Sequence, residues 1–101
     1  RTALQSQAAR HTGLTNLFTG RPARAIVNRV MRDLGPMRAA QPAFPLAVNA
    51  IAPLRARAES AGSVDFSPLW SGQNASGCKP VPAAELTREL SSAFNRRDVI
   101  A

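Results

Sequence analysis

Apolar positions along the chain change their spacing several times, and each change marks an element. In residues 12–19, TGLTNLFT, large and small polar positions alternate imperfectly. Leu14, Asn16 and Phe18 would share one face of a strand, with Thr15 and Leu17 on the other. From Pro22 the spacing lengthens to three and four. Ile26, Val27, Val30, Met31 and Leu34 then form a single stripe, as on a helix. Proline suits a first helical turn, where its missing N–H costs nothing, and Gly35-Pro36 is a strong stop. The pattern predicts a helix over 22–34. Residues 1–10, RTALQSQAAR, have helix-forming composition but few large apolar side chains, and read as the end of a surface helix.

The second half is similarly punctuated. Residues 36–45 hold three prolines and read as an irregular crossing. A helix is predicted over 46–61, with Leu46, Ala50, Leu54 and Ala58 stacked on one face and Gly62 at its end. Pro53 should kink it or start a second helix, because it removes a backbone hydrogen bond. Residues 63–81 are polar and rich in Gly, Ser and Pro, around an apolar knot of Phe66, Leu69 and Trp70. An amphipathic helix is predicted from Pro82 to about Phe94, burying Leu86, Leu90 and Phe94, with Glu85 and Arg88 on its polar face. The tail NRRDVIA is expected to fray. The fold class is mostly α with a short strand, α+β.

Length and charge narrow the picture. At 101 residues there is room for one small domain with a modest core. The chain opens on Arg1 inside a helix-like stretch, so it is expected to be a piece of a longer, soluble protein. A net charge of +7 raises the prospect of a phosphate-bearing partner. The basic residues are nearly all arginine, with Lys79 the single lysine, and they are dispersed along the chain. With four Phe, one Trp and no Tyr, the interleaving of aromatic and basic residues that stacks bases is missing. Nucleic acid is therefore not expected as a partner. No apolar stretch reaches the roughly 18 residues that cross a bilayer, so no membrane is expected either. One cysteine, Cys78, cannot form an internal disulfide, which suits a reducing cytoplasm. Neither Cys78 nor the single histidine, His11, sits in a nucleophile, triad or zinc pattern, and both read as incidental.

Two stretches stand out as candidate sites. The first runs Thr19-Gly20-Arg21-Pro22-Ala23-Arg24, with Asn28 a turn beyond. A glycine turn entering a helix start offers free N–H groups to an anion, and Arg24 and Asn28 at i, i+4 would share one face. The competing and favoured job is fastening the helix to neighbouring backbone or a carboxylate, since most side-chain hydrogen bonds go to backbone or water. The second is Ser71-Gly72-Gln73, following the Leu69-Trp70 anchor. It offers a hydroxyl, a close backbone approach and an amide that both donates and accepts. A plain turn explains it equally well.

Three runs, LFTGRPARAIVNR, then PAFPLAVNAIAPLRARAESAGSVDFSPLWSGQ, then PAAELTREL, together resemble the C-terminal part of the nitronate monooxygenase family, also called 2-nitropropane dioxygenases. The resemblance implies the C-terminal fragment of an FMN-binding TIM-barrel enzyme that oxidises alkyl nitronates with O2 to carbonyl compounds and nitrite. It implies a substrate-side helical subdomain over 1–81 and a closing helix over 82–101 that returns to the barrel. Most of the FMN site and the catalytic base would lie upstream, leaving no catalytic residue in this chain. Ser71, Gly72 and Gln73 match the segment that would approach the cofactor. Arg21, Arg24 and Asn28 match polar anchors that brace the subdomain. The run NASGCKP departs from the family's usual apolar and basic character. A related FMN-barrel reductase of enoyl thioesters, or a free-standing basic nucleic-acid-binding protein, are the alternatives. If a barrel is missing, Ile26, Val30, Leu69 and Trp70 are expected to form a partly exposed stripe.

Overall fold

The computed structural model describes residues 1–95; the end of the tail expected to fray, 96–101, lies outside them. The described chain is mostly helical with one two-stranded sheet. Strand β1 (Thr12–Thr15) pairs antiparallel with β2 (Ala23–Ile26). Helix α1 (Arg29–Leu34), helix α2 (Ala47–Ser60) and helix α3 (Ala83–Ser92) follow. Short 3-10 turns occupy Gln7–Arg10 and Ala93–Asn95. The expected surface helix at the start is thus turns and a 3-10 segment.

The continuous helix expected over 22–34 is not formed. Residues 23–26 are strand and only 29–34 are helix. The reason is tertiary. The N–H of Val27 donates to the His11 carbonyl (2.8 Å) and that of Ile26 to the Leu69 carbonyl (2.8 Å). Neighbours on both sides therefore satisfy groups that a helix would bond internally. The apolar spacing suits this outcome equally well. Ile26 and Val27 separate to opposite faces of the strand, Ile26 into a cluster with Ala9 and Ala75, Val27 against a cluster of Leu17, Phe18, Ala25, Val30 and Met31. The expected stop survives, with Gly35 at φ +146.

The strand predicted over 12–19 ends at Thr15. A turn follows, in which the Gly20 N–H donates to the Asn16 carbonyl (3.0 Å), and it delivers both Leu17 and Phe18 into the core. Alternation therefore breaks down after Thr15, and Leu14 is left half exposed. The prolyl crossing after α1 is tied to this turn by side chains. The Thr15 hydroxyl donates to the Pro36 carbonyl (2.7 Å), Asn16 exchanges two hydrogen bonds with Arg38 backbone, and the Gln41 amide donates to the Leu17 carbonyl (2.8 Å).

Helix α2 falls close to its predicted span and carries Pro53 within it. Its inward face is one residue out of phase with the expected stripe. Ala47 is buried and Ile51 packs on the larger cluster, whereas Leu46 and Leu54 are 60% and 48% exposed. In α3 no residue is buried, and Leu86, Leu90 and Phe94 stand 37%, 63% and 90% exposed. The apolar face read from the sequence is present, but no described element buries it. Of the stripe expected to be partly exposed, Ile26 and Val30 are instead core, both 2% exposed, whereas Leu69 is half-buried and Trp70 is 45% exposed.

Candidate functional site

The residues singled out in the sequence fall into a fastening group and a group at one sheet edge. Asn28 belongs to the first. It precedes α1 and is 5% exposed. Its Nδ2 donates to the carbonyls of Val64 (3.0 Å) and Ser67 (2.8 Å), pinning the 63–67 loop. Its Oδ1 is buried and has no partner among the described residues. The start of α1 is met by protein, since the Val30 N–H donates to the Asp65 carbonyl (3.1 Å). Arg24 sits on β2, so the pairing of Arg24 with Asn28 on one helical face is overturned along with the helix itself. The idea of an anion held at that helix start goes with it.

Arg21 is exposed, with its guanidinium 4.5 Å from the centre of the Phe44 ring, an arrangement that attracts through the ring's negative face. The turn before it demands glycine. At Gly20, φ is +96, and an added Cβ would lie 2.6 Å from both the Phe44 nitrogen and the Pro42 oxygen. Thr19, Gly20 and Arg21 thus seat this turn on the 42–44 crossing.

The second group assembles across strands. Segment 69–71 lies along the free edge of β2. Trp70 bridges Ala25, the Ile26 N–H donates to Leu69, and the Ser71 N–H donates to the Arg24 carbonyl (3.3 Å). The anchor reading of Leu69 and Trp70 holds: Leu69 packs beside Ile26, and Trp70 meets Phe18 edge-on at 5.6 Å between ring centres. Ser71, Gly72 and Gln73 leave the sheet from this anchor. Ser71 is half-buried; Gly72 and Gln73 are exposed. Apart from Gly72 and its two chain neighbours, no heavy atom of the described residues lies within 4 Å of the position a Cβ would take there. The Ser71 hydroxyl makes one hydrogen bond, at 3.3 Å to the adjacent Gly72 carbonyl. Arg24 spends one guanidinium N–H on the Thr12 hydroxyl (3.2 Å).

His11 and Cys78 are exposed, and no group of metal-ligating side chains occurs among the described residues. No described helix is long and apolar enough to cross a membrane. Sequence reasoning missed Thr12 and Leu14 as members of the sheet-edge group. Only the strand register, Leu14 opposite Arg24 and Thr12 opposite Ile26, brings them in.

The model of the nitronate monooxygenase family matches residues 1–92, and the chain belongs to that family. Nitronate monooxygenase of Pseudomonas aeruginosa is 37% identical over 91 residues, covering 89% of this chain and 26% of that protein. The nitronate monooxygenase of Paraburkholderia phytofirmans is 36% identical over 91 residues, covering 89% of this chain and 25% of that protein. The chain thus spans about a quarter of the length of the curated relatives it matches. It also superposes on a crystal structure of nitroalkane oxidase from Streptomyces ansochromogenes with a TM-score of 0.82 and 36% identity, over 99% of this chain and 28% of that one.

Proposed function

We propose that the chain is the C-terminal, substrate-side part of an FMN-dependent nitronate monooxygenase, a cytoplasmic enzyme that oxidises alkyl nitronates with O2 to carbonyl compounds and nitrite. The observation that carries this reading is a family match over 1–92 that accounts for only about a quarter of its relatives' length. Residues 1–81 form part of the substrate-side subdomain. Residues 82–101 return to a TIM barrel formed by the rest of the enzyme. Bare apolar positions support that division: Leu86, Leu90 and Phe94, spaced four apart, are all exposed in this chain, and a contiguous apolar stripe of this kind marks a face that something else covers.

The residues present fit one wall of a flavin site. Gly72 leaves its surroundings open, Gln73 is exposed beside it, and the Ser71 hydroxyl is weakly engaged. A planar ring system can approach that backbone closely, with the Gln73 amide free to donate or accept. FMN supplies the redox chemistry when bound. The protein's share at this edge is to orient the ring and keep water away. Residues holding the phosphate, and the base that handles substrate protons, lie in the remainder of the enzyme under this reading.

The test is made on the full-length protein. It should purify with a flavin absorbance spectrum, consume O2 with an alkyl nitronate and release nitrite. NADH oxidation with an enoyl thioester, without nitronate turnover, would move the assignment to a reductase. A polypeptide of residues 1–101 alone should carry no FMN and show no turnover. Stoichiometric flavin in that polypeptide would refute the division proposed here.

A further inference from the structure

We infer that Arg24 is an anion-binding residue of the Ser71–Gln73 site, receiving the two oxygens of the nitronate group, and is not a brace between domains. This rests on the reading above for the identity of the anion. The placement itself follows from register. Three chain segments run side by side, β1, β2 and 69–71, and side chains alternate between the sheet's two faces. Ile26 and Leu69 share one face, in the cluster with Ala9 and Ala75. Trp70 lies on the other, against Phe18. Arg24, two residues before Ile26, and Ser71, two residues after Leu69, therefore stand on the same face as that first pair. The Ser71 N–H donation to the Arg24 carbonyl makes them direct neighbours, and side chains so opposed sit roughly 5 Å apart at Cβ. Leu14 pairs with Arg24 from the other side. One row across the sheet thus reads Leu14, Arg24, Ser71, with Gly72 and Gln73 next along the chain.

Charge makes the row informative. Each of the three ion pairs among the described residues, Arg29–Asp33, Arg55–Glu59 and Lys79–Glu89, lies elsewhere. Arg24 is half-buried, yet its hydrogen bond runs to a neutral hydroxyl, that of Thr12. A guanidinium carries five donors in a planar fork, and no other side-chain hydrogen bond of Arg24 occurs among the described residues. The bond to Thr12 holds one arm of the guanidinium on the β1 side of Arg24, beside Leu14. A nitronate carries its charge on two coplanar oxygens, the geometry that a guanidinium fork matches with two parallel hydrogen bonds. Leu14, half exposed beside it, offers an apolar contact for an alkyl substituent.

The experiment uses the full-length protein and two readouts. The first is binding of nitrate, a planar oxyanion, by calorimetry at fixed ionic strength, which needs no turnover. The second is kcat and KM for an alkyl nitronate. Arg24→Gln should weaken nitrate binding and raise the nitronate KM by roughly 10- to 100-fold, the scale of a charge-assisted bidentate contact. Turnover of the neutral nitroalkane, where measurable, should change little. Arg24→Lys should recover part of the loss. Leu14→Glu, which leaves Arg24 in place and sets a carboxylate opposite it at an exposed position, should weaken nitrate binding comparably. Unchanged nitrate affinity and KM in Arg24→Gln, with a lowered melting temperature, would overturn the proposal and make Arg24 a brace. Loss of nitrate binding in a protein that never turns over nitronate would leave the anion site standing and sink the proposed function instead.

Discussion

Replacing Asn28 separates a fastening residue from a ligand contact by magnitude. Its Nδ2 makes two donations, but they are unequal. The Ser67 carbonyl is the buried partner (2.8 Å). The Val64 carbonyl is only part-buried and keeps a second donor, the Ser67 N–H (3.1 Å). In Asn28→Ala the buried carbonyl loses the Asn28 donor at a cost of about 1–3 kcal/mol, and the part-buried bond adds about 0.5–1 kcal/mol. Deleting the partnerless Oδ1 returns about 1 kcal/mol. The net is about 2 kcal/mol, a substantial part of a total stability of about 5–15 kcal/mol for a domain. In Asn28→Asp the same site receives a carboxylate facing two carbonyl oxygens. An uncompensated buried charge costs about 3–5 kcal/mol, so the near-isosteric change should be the worse one. Urea denaturation of the full-length protein gives the order, and amide exchange over residues 63–68 should quicken in both variants. If Asn28→Asp is no more destabilising than Asn28→Ala, or if both are neutral and only the nitronate KM moves, the fastening argument is wrong.

Other predictions follow from the same contacts. Gly20→Ala should cost about 2–4 kcal/mol, from a positive φ plus a Cβ driven into backbone at 42–44. Gly72→Ala, with open space around it, should leave stability unchanged within about 0.5 kcal/mol; equal denaturant midpoints for the two variants would refute this. Glu59 is held below its ordinary value of 4.5, first by the Arg55 hydrogen bond, then by the Ser67 hydroxyl. A depressed folded-state value means that its contribution is present above 4.5 and fades as pH falls through the lower value. Protection of the amides near Ser67, measured relative to their intrinsic exchange rates, should therefore fall below pH 4.5 in the wild type, and Glu59→Gln should remove that acid dependence. Leu90→Asp on α3 should destabilise the full-length enzyme by about 1–3 kcal/mol if that face packs on the barrel, while circular dichroism of the isolated 1–101 polypeptide should barely change.

Local chemistry sufficed for much of this chain. Helices α2 and α3 fall within a residue or two of their predicted spans, because their composition and flanking Gly62 and Pro82 specify them without outside help. Gly35 ends α1 for the conformational reason expected of it. The Leu69-Trp70 anchor was legible because large apolar side chains in a polar loop have few other uses. Family membership was legible in the quoted runs. Where the outcome depended on what lies alongside, sequence was insufficient. The spacing of Ile26, Val27, Val30 and Met31 fits a helix stripe, and it equally fits a strand buried on both faces that turns into a helix. Non-local bonds from His11 and Leu69 decided between the two. Likewise the periodicity of α2 was visible but its phase was not, since Ala47 and Ile51 face inward only because the core cluster lies on that side. The row of Leu14, Arg24 and Ser71 joins positions up to 57 residues apart in sequence. No spacing rule connects them; strand pairing alone does.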